Sequence, residues 1–445
     1  MLPRPHNSRR SFLRHSTFAV AAGLVSTLPP ALRRGSNRGP RLDGRSATRR
    51  GVDPSALRSE GPKDERFWFE VQQAFDIDRS IIHLNNGGVN PSPDTVVRSL
   101  RAHYSESNRY PFYAHRGNVA SQVEAVRKQL ADEFGCDADE IALTRNTSEG
   151  MEIVELGVAL EPGDEVLTTT HDYPRILAAL RQRADREGIV VKEVDVPVPL
   201  DDAEAFVRRM EAAMTRRTRL VVMCHLVDLT GQILPVRGVV DAAHRKGIPV
   251  LVDGAQTFGQ FPFTQRDLGC DFFATSLHKW MMGPQGTGFL YIRRDLIPHV
   301  WPLIAPETED VADIRKFEDV GTQSMAPLLA ISDALAFSRS IGIDAKRDRL
   351  LQLRGMWHGE IGDHDRVRLQ TNLATACSLV TVDVDSIAPI ELRNYLWDVH
   401  RIRVRPIDDR GVRGIRVSPG IYTSVNDLER FVGVMRQVLR DGLPS

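Results

Sequence analysis

A lysine that directly follows a strand is the residue in this sequence best suited to covalent chemistry. Lys279 lies in Ser276-Leu277-His278-Lys279-Trp280, between a predicted strand at Asp271–Thr275 and the glycine-containing segment 281–286. Ligands of parallel sheets bind at the carboxyl ends of the strands, and partial burial there lowers a lysine pKa and frees the amine to form a Schiff base. Taken alone, a lysine beside tryptophan is more often an ordinary surface residue. The glycines that follow it do not link a strand to a helix, so they form no dinucleotide-binding fingerprint.

A carboxylate ends the strand that is predicted before the strand of this lysine. Val250–Asp253 is an apolar run that leads into Asp253-Gly254-Ala255-Gln256. An acid at this place is either a turn-former or helix cap, or the partner of a protonated ring nitrogen in an electron-sink cofactor. Asp253 precedes Lys279 by 26 residues, with one strand between them. Both side chains are therefore expected at the edge of one crevice.

A third segment joins a strand to a helix through hydroxyl residues. Thr144-Arg145-Asn146-Thr147-Ser148-Glu149-Gly150 ends one element and begins the next. Helix N-terminal amides together with hydroxyls form an anion site that suits a phosphate. The alternative is an ordinary helix start in which Thr147 or Ser148 is the cap and nothing is bound.

The elements that must position these residues alternate along the chain from Ile81 onward. Amphipathic stretches that predict helices, such as Arg175–Arg186 and Glu204–Met214, separate most of the short apolar runs. This alternation indicates a mainly parallel sheet with helices on both faces. The predicted strands are Ile141–Thr144, Glu165–Thr169, Ile189–Val194, Leu220–His225, Pro249–Asp253, Asp271–Thr275 and Thr287–Ile292, the last of them antiparallel at an edge.

The pattern changes after about residue 330. A long helical stretch from Pro327 leads to shorter strands and helices, which predict a smaller α+β domain. The predicted elements there are strands at Ser378–Asp383, Ile402–Arg405 and Arg416–Ser418, and helices at Ile390–Val399 and Val425–Leu439.

The charge is divided unevenly between the leader and the body of the chain. Residues 1–50 contain eleven Arg, no Lys and one acid, Asp43, so they carry about +10, and the remaining residues carry about −10. An acidic body argues against nucleic-acid binding over a broad surface. The four Cys have neither CxxC nor Cys/His spacing, so the sequence predicts no disulfide framework and no metal site.

The first residues have the form of a bacterial export signal. Ser8-Arg9-Arg10-Ser11-Phe12-Leu13-Arg14 precedes the apolar run Thr17–Leu28, which is too short to span a bilayer. Adjacent arginines here resemble the twin-arginine type, which predicts use of the Tat export machinery and a periplasmic location. The alternative is a disordered basic tail. No clear A-x-A cleavage site is present, so removal of the leader and its retention as an anchor both remain open.

Together these motifs resemble the class V aminotransferase family of pyridoxal-phosphate enzymes, fold type I, from about Leu84 to the end of the chain. The resemblance implies a large domain with a mainly parallel, seven-stranded type of sheet and a smaller C-terminal α+β domain. It places Lys279 as the Schiff-base lysine and Asp253 as the partner of the pyridine nitrogen. Cofactor contacts are also implied for Gln256, at the phenolic oxygen, and for Thr147, Ser148, Ser276 and His278, at the phosphate.

The resemblance also implies residues that meet the substrate and a second subunit. In Thr170-His171-Asp172-Tyr173-Pro174 an aromatic ring stacks on the cofactor, for which we favour Tyr173 and keep His171 as the alternative. Thr322 matches a threonine that reaches the phosphate of the partner subunit, which implies a homodimer with shared sites. Arg416 matches the arginine that holds the substrate carboxylate by a bidentate pair; otherwise it is a surface ion-pair residue.

Within the family, Asn85-Asn86-Gly87-Gly88-Val89 and Asp172-Tyr173-Pro174 look most like the isopenicillin N epimerase and hercynylcysteine lyase branch, with Asn86 near the substrate. The alternative for the first motif is a plain tight turn. The desulfurase branch needs a thiol on a loop shortly before the substrate arginine, and residues 405–415 contain no Cys. Asp228 stands where many relatives carry Asn near the substrate carboxylate, and its charge would repel that group unless neutralised.

The sequence therefore predicts an enzyme that acts at the α-carbon of an amino acid or amine. Epimerase or C–S/β-lyase chemistry comes first, aminotransferase chemistry is the alternative, and a non-catalytic cofactor-binding module is a third hypothesis. The predicted division is a leader (1–32), a flexible spacer (33–65), an N-terminal segment (66–98), a large cofactor-binding domain (99–330) and a small C-terminal domain (331–445).

Overall fold

The computed structural model of the 445-residue chain describes residue 61 and residues 63–111 and 116–444. The predicted twin-arginine leader, residues 1–32, and nearly all of the predicted spacer lie outside this part. In chain order the strands are β1 (Ile82–His83), β2 (Ile141–Thr144), β3 (Glu165–Thr169), β4 (Val190–Val194), β5 (Thr218–Cys224), β6 (Val250–Asp253), β7 (Phe272–Ser276), β8 (Gly288–Ile292), β9 (Val367–Leu369), β10 (Val380–Val384), β11 (Ile402–Arg403), β12 (Arg405–Asp409) and β13 (Val412–Val417).

The α-helices lie between and around these strands. They are α1 (Glu65–Gln73), α2 (Asp94–Arg109), α3 (Arg116–Phe134), α4 (Thr147–Gly157), α5 (Pro174–Glu187), α6 (Ala203–Ala213), α7 (Val236–His244), α8 (Gln265–Leu268), α9 (Ala326–Leu329), α10 (Ile331–Ile341), α11 (Ile343–Ile361), α12 (Pro389–Asp398) and α13 (Val425–Asp441). No single helix among the described residues is long and apolar enough to cross a membrane; only a pair bent by 72°, Ala326–Ile341 with Ile343–Ile361, meets the length and composition criteria together.

The large sheet has seven strands in the order β2-β8-β7-β6-β5-β3-β4. Strands β3 to β7 pair in parallel, and β8 runs antiparallel to both β7 and β2. The fold-type prediction of a mainly parallel sheet is confirmed. The prediction that Thr287–Ile292 lies at an edge is wrong, because β8 is inserted between two strands. All five of its residues are buried, as expected for an apolar strand with a neighbour on each side.

Close packing of α4 against the sheet sets the position of the helix start. The β6 residues Val250–Asp253 are all buried, which is typical of a parallel strand covered on both faces. Helix α4 crosses this region at Gly150, where an added Cβ would lie 2.8 Å from the Ala274 Cβ on β7. Only glycine lets the helix approach this closely, so the N-terminus of α4 is held firmly beside the ends of β6 and β7.

A second, antiparallel sheet follows in the order β12-β13-β10-β9. Helix α13 packs its apolar face into this part and begins with a capping box, in which the backbone N–H of Asp427 donates to the Ser424 hydroxyl. Strand β1 pairs in parallel with β11, so Ile82 and His83 join the C-terminal part of the chain. The Asn85–Gly88 turn that follows β1 is thereby carried to the border between the two sheets.

Candidate active site

A cavity of about 290 Å³ opens at the carboxyl ends of β5, β6 and β7 and the start of α4. This is the edge at which parallel sheets bind ligands. Most of the residues predicted for the site line it, and they come from five separate segments of the chain. These lining residues are Thr147, Ser148, His171, Tyr173, Asp228, Asp253, Gln256, Ser276, His278 and Lys279.

Lys279 and Asp253 supply an amine and a carboxyl to the same cavity. Within the described residues no carboxylate oxygen lies within ion-pairing distance of Lys279 Nζ. Burial lowers the pKa of Lys279, although Asp228 and Asp253 oppose the shift, so the amine is easier to deprotonate than a free lysine. Burial raises the pKa of Asp253 to about 6, and its Oδ1 accepts from the backbone N–H of Ala255 at 2.8 Å. The amine is thus available as a nucleophile and base, and the buried carboxyl as a partner for a cation.

The start of α4 forms the predicted anion site. Asn146 is the N-cap, and its side chain accepts from the backbone N–H of Glu149 at 3.0 Å. The alternative in which Thr147 or Ser148 caps the helix is therefore wrong. The Ser276 hydroxyl accepts from the backbone N–H of Thr147 at 2.9 Å and lies 2.8 Å from the Thr147 hydroxyl, so two hydroxyls meet at a helix N-terminus that borders the cavity.

The loop after β3 presents two aromatic rings to the cavity. His171 is 3% exposed, and its Nε2 lies 2.9 Å from the carbonyl oxygen of Arg410 in the β12–β13 hairpin. Tyr173 is 41% exposed and precedes the first residue of α5. Between them, the buried Asp172 carboxylate accepts from the backbone N–H groups of Thr169 and Cys224. The hairpin therefore holds the imidazole of His171 in place through the Arg410 carbonyl, whereas the ring of Tyr173 is more exposed.

Gln256 and His278 differ in how fully their polar groups are used. The Nε2 of Gln256 donates to the Gly87 carbonyl at 2.7 Å and to Asp228 Oδ1 at 2.9 Å, and its Oε1 accepts from the indole N–H of Trp280. Both hydrogens of this amide are thus engaged, so a contact with a cofactor oxygen requires one of these bonds to be exchanged. The Nδ1 of His278 is buried without a hydrogen-bond partner in the described part. Burial lowers the pKa of His278, so the ring is neutral at pH 7.

Three predicted residues are not brought to the cavity by their side chains. Asn86 is buried, donates from Nδ2 to the carbonyls of His83 and Ser418, and accepts from the Tyr422 hydroxyl at 2.6 Å. Arg416 is fully buried and is held by Asp228 and Asn85. Thr322 lies on an exposed turn, where only a second subunit would bring it into contact with a site.

Two residues at or next to the cavity were not predicted from the sequence. The Asn85 side chain, not that of Asn86, contacts Arg416, with 2.8 Å between Asn85 Oδ1 and Arg416 Nη2. Arg405 lines the cavity and binds Asp228 Oδ2 at 2.5 Å. The signal for Arg405 was the turn at Arg410-Gly411, because a hairpin closed there makes Arg405 the cross-strand partner of Arg416.

The fold and the cavity define a class of enzyme. A seven-stranded, mainly parallel sheet carries a poorly solvated lysine, a buried acid one strand away, and a hydroxyl-rich helix start that suits a phosphate. An unpartnered imidazole nitrogen also borders the cavity. This donor set fits pyridoxal phosphate, which presents an aldehyde, a basic ring nitrogen and a phosphate.

Comparison with known proteins identifies the family. The model of the aminotransferase class-V family matches residues 82–431, so the chain belongs to this family of pyridoxal-phosphate-dependent enzymes. It is 28% identical over 398 residues to isopenicillin N epimerase from Amycolatopsis lactamdurans, covering 83% of this chain and 98% of that protein. It is 27% identical over 411 residues to a probable cysteine desulfurase from Pyrococcus abyssi, covering 83% and 97%.

Solved structures are similar over the same length. The complex between the cystine C–S lyase C-DES and its reaction product cysteine persulfide superposes with a TM-score of 0.75 at 26% identity, covering 82% of this chain and 99% of that one. The relatives therefore share the whole fold with this chain and differ among themselves in the reaction.

Proposed function

We propose that this protein is a pyridoxal-phosphate enzyme that acts at the α-carbon of an amino acid, with isopenicillin N epimerase-like chemistry, either epimerisation or C–S/β-elimination. The observation that carries the proposal is the convergence of Lys279 and Asp253 on the cavity that also contains the Thr147–Ser276 anion site. When bound, pyridoxal phosphate supplies an electron sink for the charge that develops at the α-carbon.

Each residue has a defined task in this proposal. Thr147, Ser148 and Ser276 at the start of α4 would hold the phosphate, and the buried carboxylate of Asp253 would keep a proton at the ring nitrogen. Lys279 Nζ would hold the cofactor aldehyde, and its amine would act as the base that takes up the α-proton of the substrate. A lysine pKa lowered by burial supports this second task, because a base must be unprotonated at working pH.

The local structure argues against persulfide chemistry. The β12–β13 hairpin turns through Arg410-Gly411 alone, and no cysteine lies on it. Cys224 lines the cavity, but burial raises the pKa of its thiol well above the usual value, which keeps it protonated and a poor nucleophile. The desulfurase-type reaction therefore lacks its sulfur carrier at this site.

Absorbance spectroscopy tests the cofactor assignment. Purified protein reconstituted with pyridoxal phosphate should show a lysine-bound cofactor band that is lost in Lys279→Ala and retained in the control Lys128→Ala, whose side chain is 70% exposed. A wild-type protein without this band contradicts the proposal. A band that no amino acid or amine perturbs would instead support the non-catalytic binding module.

The reaction type requires a second measurement. Amino acids deuterated at the α-carbon should exchange the label with solvent, because all the reactions considered begin with removal of this proton. Inversion at the α-carbon then identifies an epimerase, and release of pyruvate with a thiol identifies a lyase. Stoichiometric formation of a keto acid and aminated cofactor would favour the alternative, an aminotransferase.

We also propose a homodimer with shared sites and export through the twin-arginine route. Large side chains such as Tyr104, Tyr110, Trp301 and Val311 are at least 60% exposed, which supports an interface with a second subunit. Sedimentation velocity tests the dimer, and Thr322→Ala should weaken cofactor retention. Arg9→Lys combined with Arg10→Lys should abolish export to the periplasm.

A further inference from the structure

Two arginines and one aspartate form a charge cluster beside the cavity. Arg405 on β12 and Arg416 on β13 are direct cross-strand partners, so their side chains project on the same face of the sheet, and their like charges would repel each other. Asp228 lies between them: its Oδ1 accepts from Arg416 Nη1 at 2.6 Å and its Oδ2 from Arg405 Nη1 at 2.5 Å. The cluster therefore keeps a single net positive charge.

Asp228 remains ionised in this cluster. Burial by itself would raise the pKa of Asp228, but the two guanidinium groups of Arg416 and Arg405 outweigh it and hold the pKa well below its usual range. The carboxylate thus acts as a permanent internal anion. Asp228 stands where many relatives carry Asn, but the two arginines neutralise its charge. It therefore does not prevent the carboxylate of a substrate from binding nearby.

Arg416 is closed off from the cavity. Its side chain is fully buried, and its Nη1 also donates to the Asp228 carbonyl at 2.7 Å. The turn after β1 covers it, since an added Cβ at Gly87 would lie 3.2 Å from Arg416 Nη2. A ligand in the cavity would have to displace both Asp228 and this turn to reach the guanidinium.

Arg405 has the opposite character. Its side chain is 35% exposed, lines the cavity, and within the described residues forms its one hydrogen bond through Nη1. The Nε and Nη2 hydrogens thus remain as donors on a guanidinium that Asp228 holds in place, and this fork matches the two oxygens of a carboxylate.

We propose that Arg405, rather than Arg416, binds the carboxylate of the substrate, with Asp228 positioning it. The inference rests on the proposed function and narrows its substrate to an amino acid whose α-carboxylate is free. One net positive charge in the cluster matches one carboxylate. Arg416 then has a structural task, which is to hold Asp228 and the Asn85–Gly88 turn.

A pair of ligands that differ only at the carboxyl group tests this assignment. L-alanine and L-alaninamide are titrated into the reconstituted protein, and the absorbance change of the bound cofactor yields a Kd for each. Comparing variants through the ratio of the two values cancels the different basicity of the two amines. The variants are Arg405→Gln, Arg405→Lys and the control Arg413→Gln, an arginine on the same hairpin that binds Asp383 and the Ile387 carbonyl.

In Arg405→Gln the Kd for L-alanine should rise by about 10- to 100-fold, the usual effect of losing a charge-assisted pair, with the Kd for L-alaninamide unchanged. Arg405→Lys should restore part of the preference, and Arg413→Gln should behave as wild type. If the ratio of the two Kd values is unchanged in Arg405→Gln, or if the wild type shows no preference for the carboxylate, the assignment of Arg405 is overturned while the proposed function stands. A wild type without the cofactor band overturns the proposed function and the assignment with it.

Discussion

A buried lysine behind the turn that carries Lys279 should make the stability of this protein dependent on pH. Lys346 on α11 is 1% exposed, and its Nζ donates to the carbonyl of Trp280 and to the Ser338 hydroxyl, both at 3.1 Å. Trp280 directly follows Lys279, so this contact helps to hold the turn that carries the Lys279 amine. Burial lowers the pKa of Lys346 to about 7.

The magnitude follows from the difference in pKa between the folded and unfolded states. An unfolded lysine titrates at about 10.4, and each unit of pKa difference corresponds to about 1.36 kcal/mol, so charging Lys346 costs the folded state about 4–5 kcal/mol. The cost is fully present below pH 7 and disappears as the pH rises towards 10.4, because there the unfolded state binds the extra proton. Between pH 7 and 9 the contribution of Lys346 should therefore stabilise the fold by about 2 kcal/mol.

Urea denaturation of wild type and Lys346→Met at pH 7, 8 and 9 measures this effect. Methionine is unbranched like lysine, lacks the terminal amine and cannot titrate, so the difference in unfolding free energy between the two proteins should change by about 2 kcal/mol over this range in favour of wild type. Lys128→Met, at an exposed ion pair with Asp132, should show a flat difference. A flat difference for Lys346→Met as well would refute the reasoning.

Three further outcomes are expected. Asp253→Asn should retain the cofactor band but lower kcat by about 10²-fold or more in steady-state assays, because the ring nitrogen loses its charged partner. In thermal denaturation, Gly150→Ala should destabilise the protein by about 1–3 kcal/mol through its clash with β7, whereas Gly433→Ala, which meets nothing within 4 Å, should stabilise it by about 0.5–1 kcal/mol. His171→Ala should release more cofactor on dialysis than Tyr173→Ala, since the imidazole is the ring that the hairpin fixes; the reverse order would favour Tyr173 as the stacking residue.

The strand pattern was predictable because each strand is a short apolar run with a distinct end. All residues of β6 and β7 are buried, and the two strands carry Asp253 and Ser276 at their last positions. The prediction that β8 lies at an edge failed because its apolar pattern indicated burial but contained no information on which strands pair with it. The order of strands depends on long-range pairing, which a local pattern does not encode.

The site divides in the same way. Lys279, Asp253 and Thr147 were predictable because each directly follows or ends an element whose direction is known. Contacts between side chains across the border of the two sheets could not be predicted in this way. The conformation of one turn decides that Asn85, and not Asn86, contacts Arg416.

The sequence by itself indicated the family, the parallel sheet and most of the residues that line the cavity, because these depend on local patterns and on residue types at strand ends. Only the tertiary structure decided which arginine faces the cavity. Arg405 and Arg416 are chemically alike and eleven residues apart, and their different environments arise from a carboxylate, Asp228, that the chain brings from almost two hundred residues away. Burial and pairing, which require the folded chain, enclose the guanidinium of Arg416 and leave that of Arg405 at the cavity.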